Sequence, residues 1–361
     1  MQFNMNIMLK KILYKPFFIK LLHWEYWSFN VVYGPIYIYW IWLCIKARSF
    51  FFFNASNPTI ENGGFLLESK KKIYDIIPQE YYPPTLFFKA GVDESALINA
   101  ASNASFQFPI IGKPDIGGKG RGVKKLNNIS EAIEYANNSK EDFLLQEFID
   151  YKNEAGIFYY RFPGENKGHI SGIVEKEFLT VKGNGYSTIE QLLLQDKRFV
   201  LQLSSLKKIY KDELKRVLKT GEQYLLVPYG NHARGAKFID VSFLIDNELT
   251  NVIDDVSKQI PGFYFGRLDI RFNTWEELKQ GKNFSIIELN GAGSEPTHMY
   301  DPNHSIFFAW KEIIRHWKIL YKISMLNHKH SKIAYMNFCE GIRLLYDTNK
   351  HLKNNSEEKR A

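Results

Sequence analysis

Cysteine is nearly absent from this sequence: its 361 residues include only Cys44 and Cys339. Two thiols cannot build a disulfide framework, and such sparse use fits a reducing compartment. Neither has a histidine at a spacing that suggests a nucleophilic pair, and no Ser-His-Asp arrangement is evident. Zinc-finger spacing and RNP-like motifs are missing too, so nucleic acid is not an expected partner. His328 and His330 have no companions spaced for zinc. No internal repeat is visible. Charge is missing from one long stretch, "YWSFNVVYGPIYIYWIWLCI" from Tyr26 to Ile45. No small-residue cleavage site follows it, which argues against a removable signal peptide.

What is present is globular in character: 45% hydrophobic and 24% charged residues, with a net charge of +8. That length and composition allow one large domain or two to three small ones. A basic excess fits phosphorylated ligands or an anionic membrane surface, and equally fits solubility alone. The uncharged run approaches the length that crosses a bilayer. Lys10, Lys11, Lys15 and Lys20 precede it, and Lys46 and Arg48 follow. Its Trp and Tyr content suits a membrane–water interface. Gly34-Pro35 would kink a helix there, which favours an interfacial or re-entrant segment over a straight span. The alternative is a hydrophobic helix pair that covers a core. Residues 1–60 are thus expected to form an apolar N-terminal segment, a candidate anchor. Residues 61–325 form the main domain, and 326–361 a basic helix and tail.

Within the main domain, "PIIGKP", "FLLQEFI", "AGIFYYRF", "HISGIVEKEF", "GRLDIRF" and "FSIIELN" read as strands. "SEAIEYANN", capped by Ser130, and "STIEQLLLQD" read as helices. The mixture predicts an α+β fold. Lys113 lies inside an apolar strand, where an unpaired ammonium is costly, and this points to a bound anion. The loop after it, "GGKGRG", fails the Walker pattern because Gly120, not Ser or Thr, follows Lys119. Glycine backbone at Gly118 and Gly120 can still approach phosphate oxygens closely; a plain flexible turn is the other reading. Glu147 and Glu154 are either solvated surface carboxylates or groups that grip a nucleoside. In strands, residues two apart share a face, so Arg267, Asp269 and Arg271 point together, as do Glu288 and Asn290. Leu268, Ile270, Ile287 and Leu289 then face the core. Asp269, Glu288 and Asn290 are hard oxygen donors suited to Mg²⁺ rather than Zn²⁺; the alternative is a charged face open to solvent. Arg234 in "NHARG" sits on a turn, suited to a carboxylate or phosphoryl group or simply to solvent.

Taken in order, "PIIGKP", "GGKGRG", "QEFIDYKNE", "NHARG", "GRLD" and "IELN" resemble the ATP-grasp superfamily of carboxylate–amine ligases, over roughly residues 68–321. The "VKGNGYSTIEQLLLQDKR" segment is similar to cyanophycin-synthetase-type members. "NHARG" resembles a loop of those and of ribosomal-protein glutamate ligases, and "GRLD" with "IELN" resembles D-alanine–D-alanine ligases. The resemblance implies two α+β subdomains that clasp ATP, with a lid at about residues 105–175. It implies that Lys113, Gly118, Lys119 and Gly120 meet the phosphates, that Gln146, Glu147, Phe148 and Ile149 flank adenine, and that Glu154 binds ribose. Lys176 would be a further phosphate lysine, and Lys70 or Lys72 an earlier one. Asp269, Glu288 and Asn290 would hold Mg²⁺, or Mn²⁺ in its place. Arg234 and Arg267 would steady the transferring phosphoryl group. The implied activity is ADP-forming: a small-molecule or peptide carboxylate is activated as an acyl-phosphate and then attacked by an amine. The alternatives are a phosphotransferase with no amine acceptor and a non-catalytic, membrane-associated nucleotide-binding protein. The need for ATP implies the cytoplasm, on the inner face of a membrane if the N-terminal segment attaches there. Family members usually begin with a soluble α/β domain, and the apolar segment stands in its place.

Overall fold

The computed structural model describes residues 13–104, 106–118, 120–227, 230 and 232–357. Lys119 and Asn231 therefore lie outside the described residues, as do Lys10, Lys11 and the end of the basic tail. The strands are β1 (Thr85–Phe88), β2 (Ile110–Pro114), β3 (Lys124–Leu126), β4 (Phe143–Glu147), β5 (Asn153–Tyr160) and β6 (His169–Glu177). They continue with β7 (Leu179–Lys182), β8 (Gln223–Val227), β9 (Lys237–Asp240), β10 (Phe265–Phe272) and β11 (Phe284–Asn290). With the helices between them they make the expected α+β chain. Two compact units result: a smaller one of Met1–Ile36, Val174–Asp240 and Thr297–Lys311, and a larger one of Tyr37–Ile173, Val241–Pro296 and Glu312–Ala361.

In the larger unit one sheet has the order β1-β4-β2-β3, and β11-β10-β5-β6 run side by side in another. The helix Ile129–Asn138 covers the first sheet with Ala132, Tyr135 and Ala136, packed near Ile110, Phe143 and Leu145. Its cap is Asn128, whose side chain accepts from the Glu131 N–H, and not Ser130 as expected. In that role a short polar side chain satisfies an otherwise orphaned helix donor. The second sheet is buried on both faces along β5, where Ala155, Ile157, Phe158 and Tyr159 are almost wholly enclosed. In the smaller unit the end of β6 pairs with β9, with Lys176 opposite Phe238. There β7 and β8 pair beneath a core of Leu179, Leu193, Leu206 and Leu226. The helix Ile189–Leu193 begins with a capping box between Thr188 and Gln191.

The N-terminal run does not make one span. It breaks into a 3₁₀ turn Trp24–Tyr26, a short helix Phe29–Tyr33, a 3₁₀ turn Gly34–Ile36 and a helix Tyr37–Ala47. No helix among the described residues is long and apolar enough to cross a membrane, and this overturns the straight-span alternative. The cause lies at Gly34-Pro35: proline has no N–H to continue the ladder. The helix Tyr37–Ala47 instead buries Leu43 and Cys44 against Phe51, Phe52, Phe265 and Leu320, as the core-covering alternative required. Its other side leaves Ile38, Ile41, Trp42 and Ile45 exposed, at helical spacing.

The stretch after it is built deep into the larger unit. Asn57 accepts from the Tyr264 and Phe265 N–H groups and donates to Gly63 O and Phe265 O. Ala292 and Gly293 donate backbone N–H to Gly63 O and Gly64 O at 2.9 and 2.8 Å. Gly64 has φ +75°, and a Cβ there would lie 2.6 Å from Gly291 Cα, so only glycine fits this close approach.

Candidate functional site

The site grows from two strands of the larger unit. β10 and β11 pair antiparallel, which sets Asp269 opposite Glu288 and Arg267 opposite Asn290. The shared face expected from the period-two pattern is present, and Leu268, Ile270 and Leu289 are buried on the other. Ile287 departs from that pattern. The ladder passes from Asp269–Glu288 to Ile270–Ile286, so Ile287 bulges out of register and is only partly buried. A bulge frees its residue from the ladder and re-aims the local backbone. Here the freed Ile287 carbonyl accepts from Tyr74 Oη at 2.6 Å and from Lys113 Nζ at 3.3 Å.

Lys113, on β2, is 6% exposed. Its ammonium also donates to Tyr74 Oη and Gln146 Oε1, each at 2.7 Å. All three partners are neutral. Burial pulls the Lys113 ammonium down to about 8, and the nearby Glu288 charge opposes that fall. Gln146 comes from the facing strand β4 and is fixed by donating to Thr85 Oγ1. Tyr74 ends the helix Lys70–Tyr74, and Lys70 lies one turn earlier on the same face. Lys70 Nζ donates to the carbonyls of Asp115 and Gly117, at the root of the glycine loop. Burial lowers its pKa, again against Glu288. Lys72 points elsewhere and pairs with Glu61. Burial raises the Glu68 carboxyl, and Glu288 contributes to the rise.

The larger unit therefore gathers Lys113, Gln146, Arg267, Asp269, Glu288 and Asn290, together with Lys70, Tyr74 and Glu68. Arg267 is bidentate to Asp269, Nε–Oδ1 at 2.9 Å and Nη2–Oδ2 at 3.1 Å. Burial disfavours that guanidinium, but the Asp269 charge prevails and raises its pKa. Asn290 Nδ2 is buried without a hydrogen-bond partner. Among the described residues no three His, Cys, Asp or Glu side chains are grouped for a metal. Two carboxylates and one amide, Asp269, Glu288 and Asn290, are present instead.

Other expected residues have more particular surroundings. Glu154 is ion-paired with Arg271, its neighbour across β5 and β10, at 3.3 Å. A ribose would have to share that carboxylate. Glu147 closes β4, and Phe148 and Ile149 follow it. Lys125 Nζ and the Arg271 guanidinium lie over the Phe148 ring at 4.1 and 6.0 Å. Gly118 has open space where a side chain would stand, and Gly120 has φ +65°. Lys176 and Arg234 belong to the smaller unit, Lys176 buried on β6 and Arg234 on the turn His232–Arg234. Sequence reasoning missed Tyr74 and Glu68. The spacing of Lys70 and Tyr74 was the available signal for the first.

Lysines, then a glycine loop, then paired carboxylates along the chain resemble the ligases of the ATP-grasp class. Over 187 residues, 47% of this chain, it is 28% identical to the glutathione biosynthesis bifunctional protein GshAB of Clostridium perfringens. The match takes in 23% of that protein, so the chain spans well under two thirds of its curated relative. Among solved structures it is similar to a bifunctional glutathione synthetase from Pasteurella multocida, with 13% identity, TM-score 0.41, and 74% of this chain and 36% of that one covered. It is also similar to the D-alanine–D-alanine ligase of Bacillus anthracis, with 14% identity, TM-score 0.40, and coverage of 73% and 68%. These structural likenesses are loose, and no residue is placed by them. No family model matches the chain.

Proposed function

We propose that this protein is an ADP-forming, ATP- and magnesium-dependent carboxylate–amine ligase. The observation that carries this reading is a buried ammonium, Lys113, set on the bulge that precedes Glu288, with Asp269 across the ladder. An ammonium enclosed by neutral acceptors gains most from an anion, since burial has stripped its water. All three Lys113 protons are engaged, so a phosphate oxygen would displace one acceptor. Lys70 holds the root of the glycine loop, whose Gly118 and Gly120 backbone would close on the phosphates. Glu147, Phe148 and Ile149 would flank the base.

Asp269, Glu288 and the side-chain oxygen of Asn290 would give magnesium an all-oxygen donor set. When bound there, the ion would offset charge on the phosphate oxygens. Arg267 holds Asp269 in place and, with Arg234 and Lys176, would steady the transferring phosphoryl group. The substrate carboxylate oxygen attacks the γ-phosphorus and ADP leaves. The amine nitrogen then attacks the acyl carbon, phosphate leaves with the bonding pair, and the amine gives up a proton. Such chemistry needs no protein nucleophile; it needs positioning and charge.

The test is incubation with Mg²⁺-ATP and pairs of amino acids or short peptides. ADP and phosphate that appear only with both a carboxylate and an amine support the ligase. A phosphorylated product that accumulates instead means a phosphotransferase, and binding without ADP release means a nucleotide-binding protein. ATP use would put the activity in the cytoplasm. The exposed row Ile38, Ile41, Trp42 and Ile45, with Lys46 beside it, supports contact with an anionic bilayer surface. Failure to float with phosphatidylserine vesicles would remove that contact.

A further inference from the structure

Three consecutive residues in the smaller unit, Trp24, Glu25 and Tyr26, each reach a different part of it. Trp24 donates from Nε1 to His304 O at 2.7 Å and stacks on Tyr300 at 5.5 Å. Glu25 is buried and accepts from Arg198 Nη2 at 3.1 Å, and its Oε2 lies 3.8 Å from His232 Nε2. Tyr26 stacks on His232 at 5.5 Å. His232 lies in turn 5.4 Å from Tyr300, which completes a column of four rings. Arg198 donates from Nη1 to Ala236 O at 3.0 Å.

The turn His232–Arg234 is therefore braced at both ends. His232 is held by Glu25 and two rings on one side, and Ala236 by the Glu25–Arg198 pair on the other. Gly235 between them has φ +97°, and a Cβ there would meet Leu179 at 2.5 Å, so the backbone has little room to re-form. A buried ion pair is weak evidence for stability but strong evidence for a fixed arrangement, because removing one partner strands the other charge.

We propose that the Trp24–Tyr26 turn is a positioning element for Arg234: the N-terminal segment fixes the loop that carries this arginine. Its role in turnover depends on the ligase reading, in which Arg234 would steady the transferring phosphoryl group. Glu25 and Tyr26 act through His232 and Arg198, and a preorganised guanidinium then pays no reorganisation cost during reaction.

The experiment uses the full chain with Tyr26→Leu, Glu25→Gln, Arg234→Ala and the Tyr26→Leu/Arg234→Ala double variant. Amide exchange at His232–Ala236 should rise about tenfold in Tyr26→Leu and Glu25→Gln while β10 and β11 keep wild-type protection. In ADP formation, kcat should fall about tenfold or more in Tyr26→Leu with KM for ATP within about twofold, and the double variant should be no slower than Arg234→Ala alone. Unchanged loop exchange, exchange that rises throughout the chain, or multiplying losses in the double variant would each overturn the assignment. If wild-type protein forms no ADP, the ligase reading fails by itself, and the exchange result alone decides whether the turn positions the loop.

Discussion

Lys113 can be read from stability alone, without any substrate. Its folded pKa of about 8 lies below the ordinary lysine value near 10.4. The unfolded chain therefore binds more protons between those values, and stability rises as pH climbs through that window. Below about 8 the full burial cost is present. We expect urea unfolding of wild type and Lys113→Met to diverge with pH. Between pH 7 and 10.5 the difference should shift towards wild type by on the order of 2–3 kcal/mol. A difference that stays constant would mean the ammonium is not desolvated. The same variant should lose most of the ATP-induced rise in melting temperature, and unchanged ATP affinity would refute the phosphate role. Glu288→Gln and Asp269→Asn should keep nucleotide binding but lose ADP formation by on the order of 10²-fold; near-wild-type turnover in both would move the metal elsewhere. That Asp269 shares a face with Arg267, and Glu288 with Asn290, was legible in the sequence because strand alternation sorts faces. For Tyr74 the only sequence signal was its spacing from Lys70, since its hydroxyl reaches Lys113 through tertiary approach. The Arg271 partner of Glu154 was hidden for the same reason.

At the scale of elements, the strands around the site followed from composition, whereas the bulge did not. "FSIIELN" alternates well enough to pass for a regular strand, and only pairing with β10 shows Ile287 out of register. The N-terminal run was harder still. Hydropathy reports how apolar a segment is, but not whether lipid or protein covers it. The helix Tyr37–Ala47 answers with its two faces, Leu43 in the core and Ile41 outside. Leu43→Ala should cost about 2–5 kcal/mol through lost burial and a cavity, whereas Ile41→Ser should stay within about 0.5 kcal/mol. Denaturant midpoints of the two variants in detergent-free buffer provide the check. Equal and small effects would mean that Leu43 is not a core residue.

For the whole molecule, a ligand that binds only the folded state must stabilise it. Mg²⁺-ATP at 100 times its dissociation constant should add about 2.7 kcal/mol, and EDTA should remove most of that gain if magnesium is part of the site. An equal shift with and without the metal would argue against the Asp269–Glu288–Asn290 donor set. The backbone stitch between Gly63-Gly64 and Ala292-Gly293 has another consequence, for how the protein ages. Both arms carry an Asn-Gly pair, Asn62-Gly63 and Asn290-Gly291, the dipeptide in which a backbone nitrogen most readily attacks the preceding amide to form a succinimide. In the folded chain the Gly63 nitrogen is already committed to Ile60 O at 2.9 Å. Asn57, the residue that ties this region together, precedes Pro58, whose nitrogen has no proton to lose by that route. Deamidation at Asn62 should therefore track opening of the stitch, while at Asn290 it would add a third carboxylate beside Glu288 and Asp269. Old preparations would then change in metal preference before they lose their fold, and peptide mapping of stored protein would date that change.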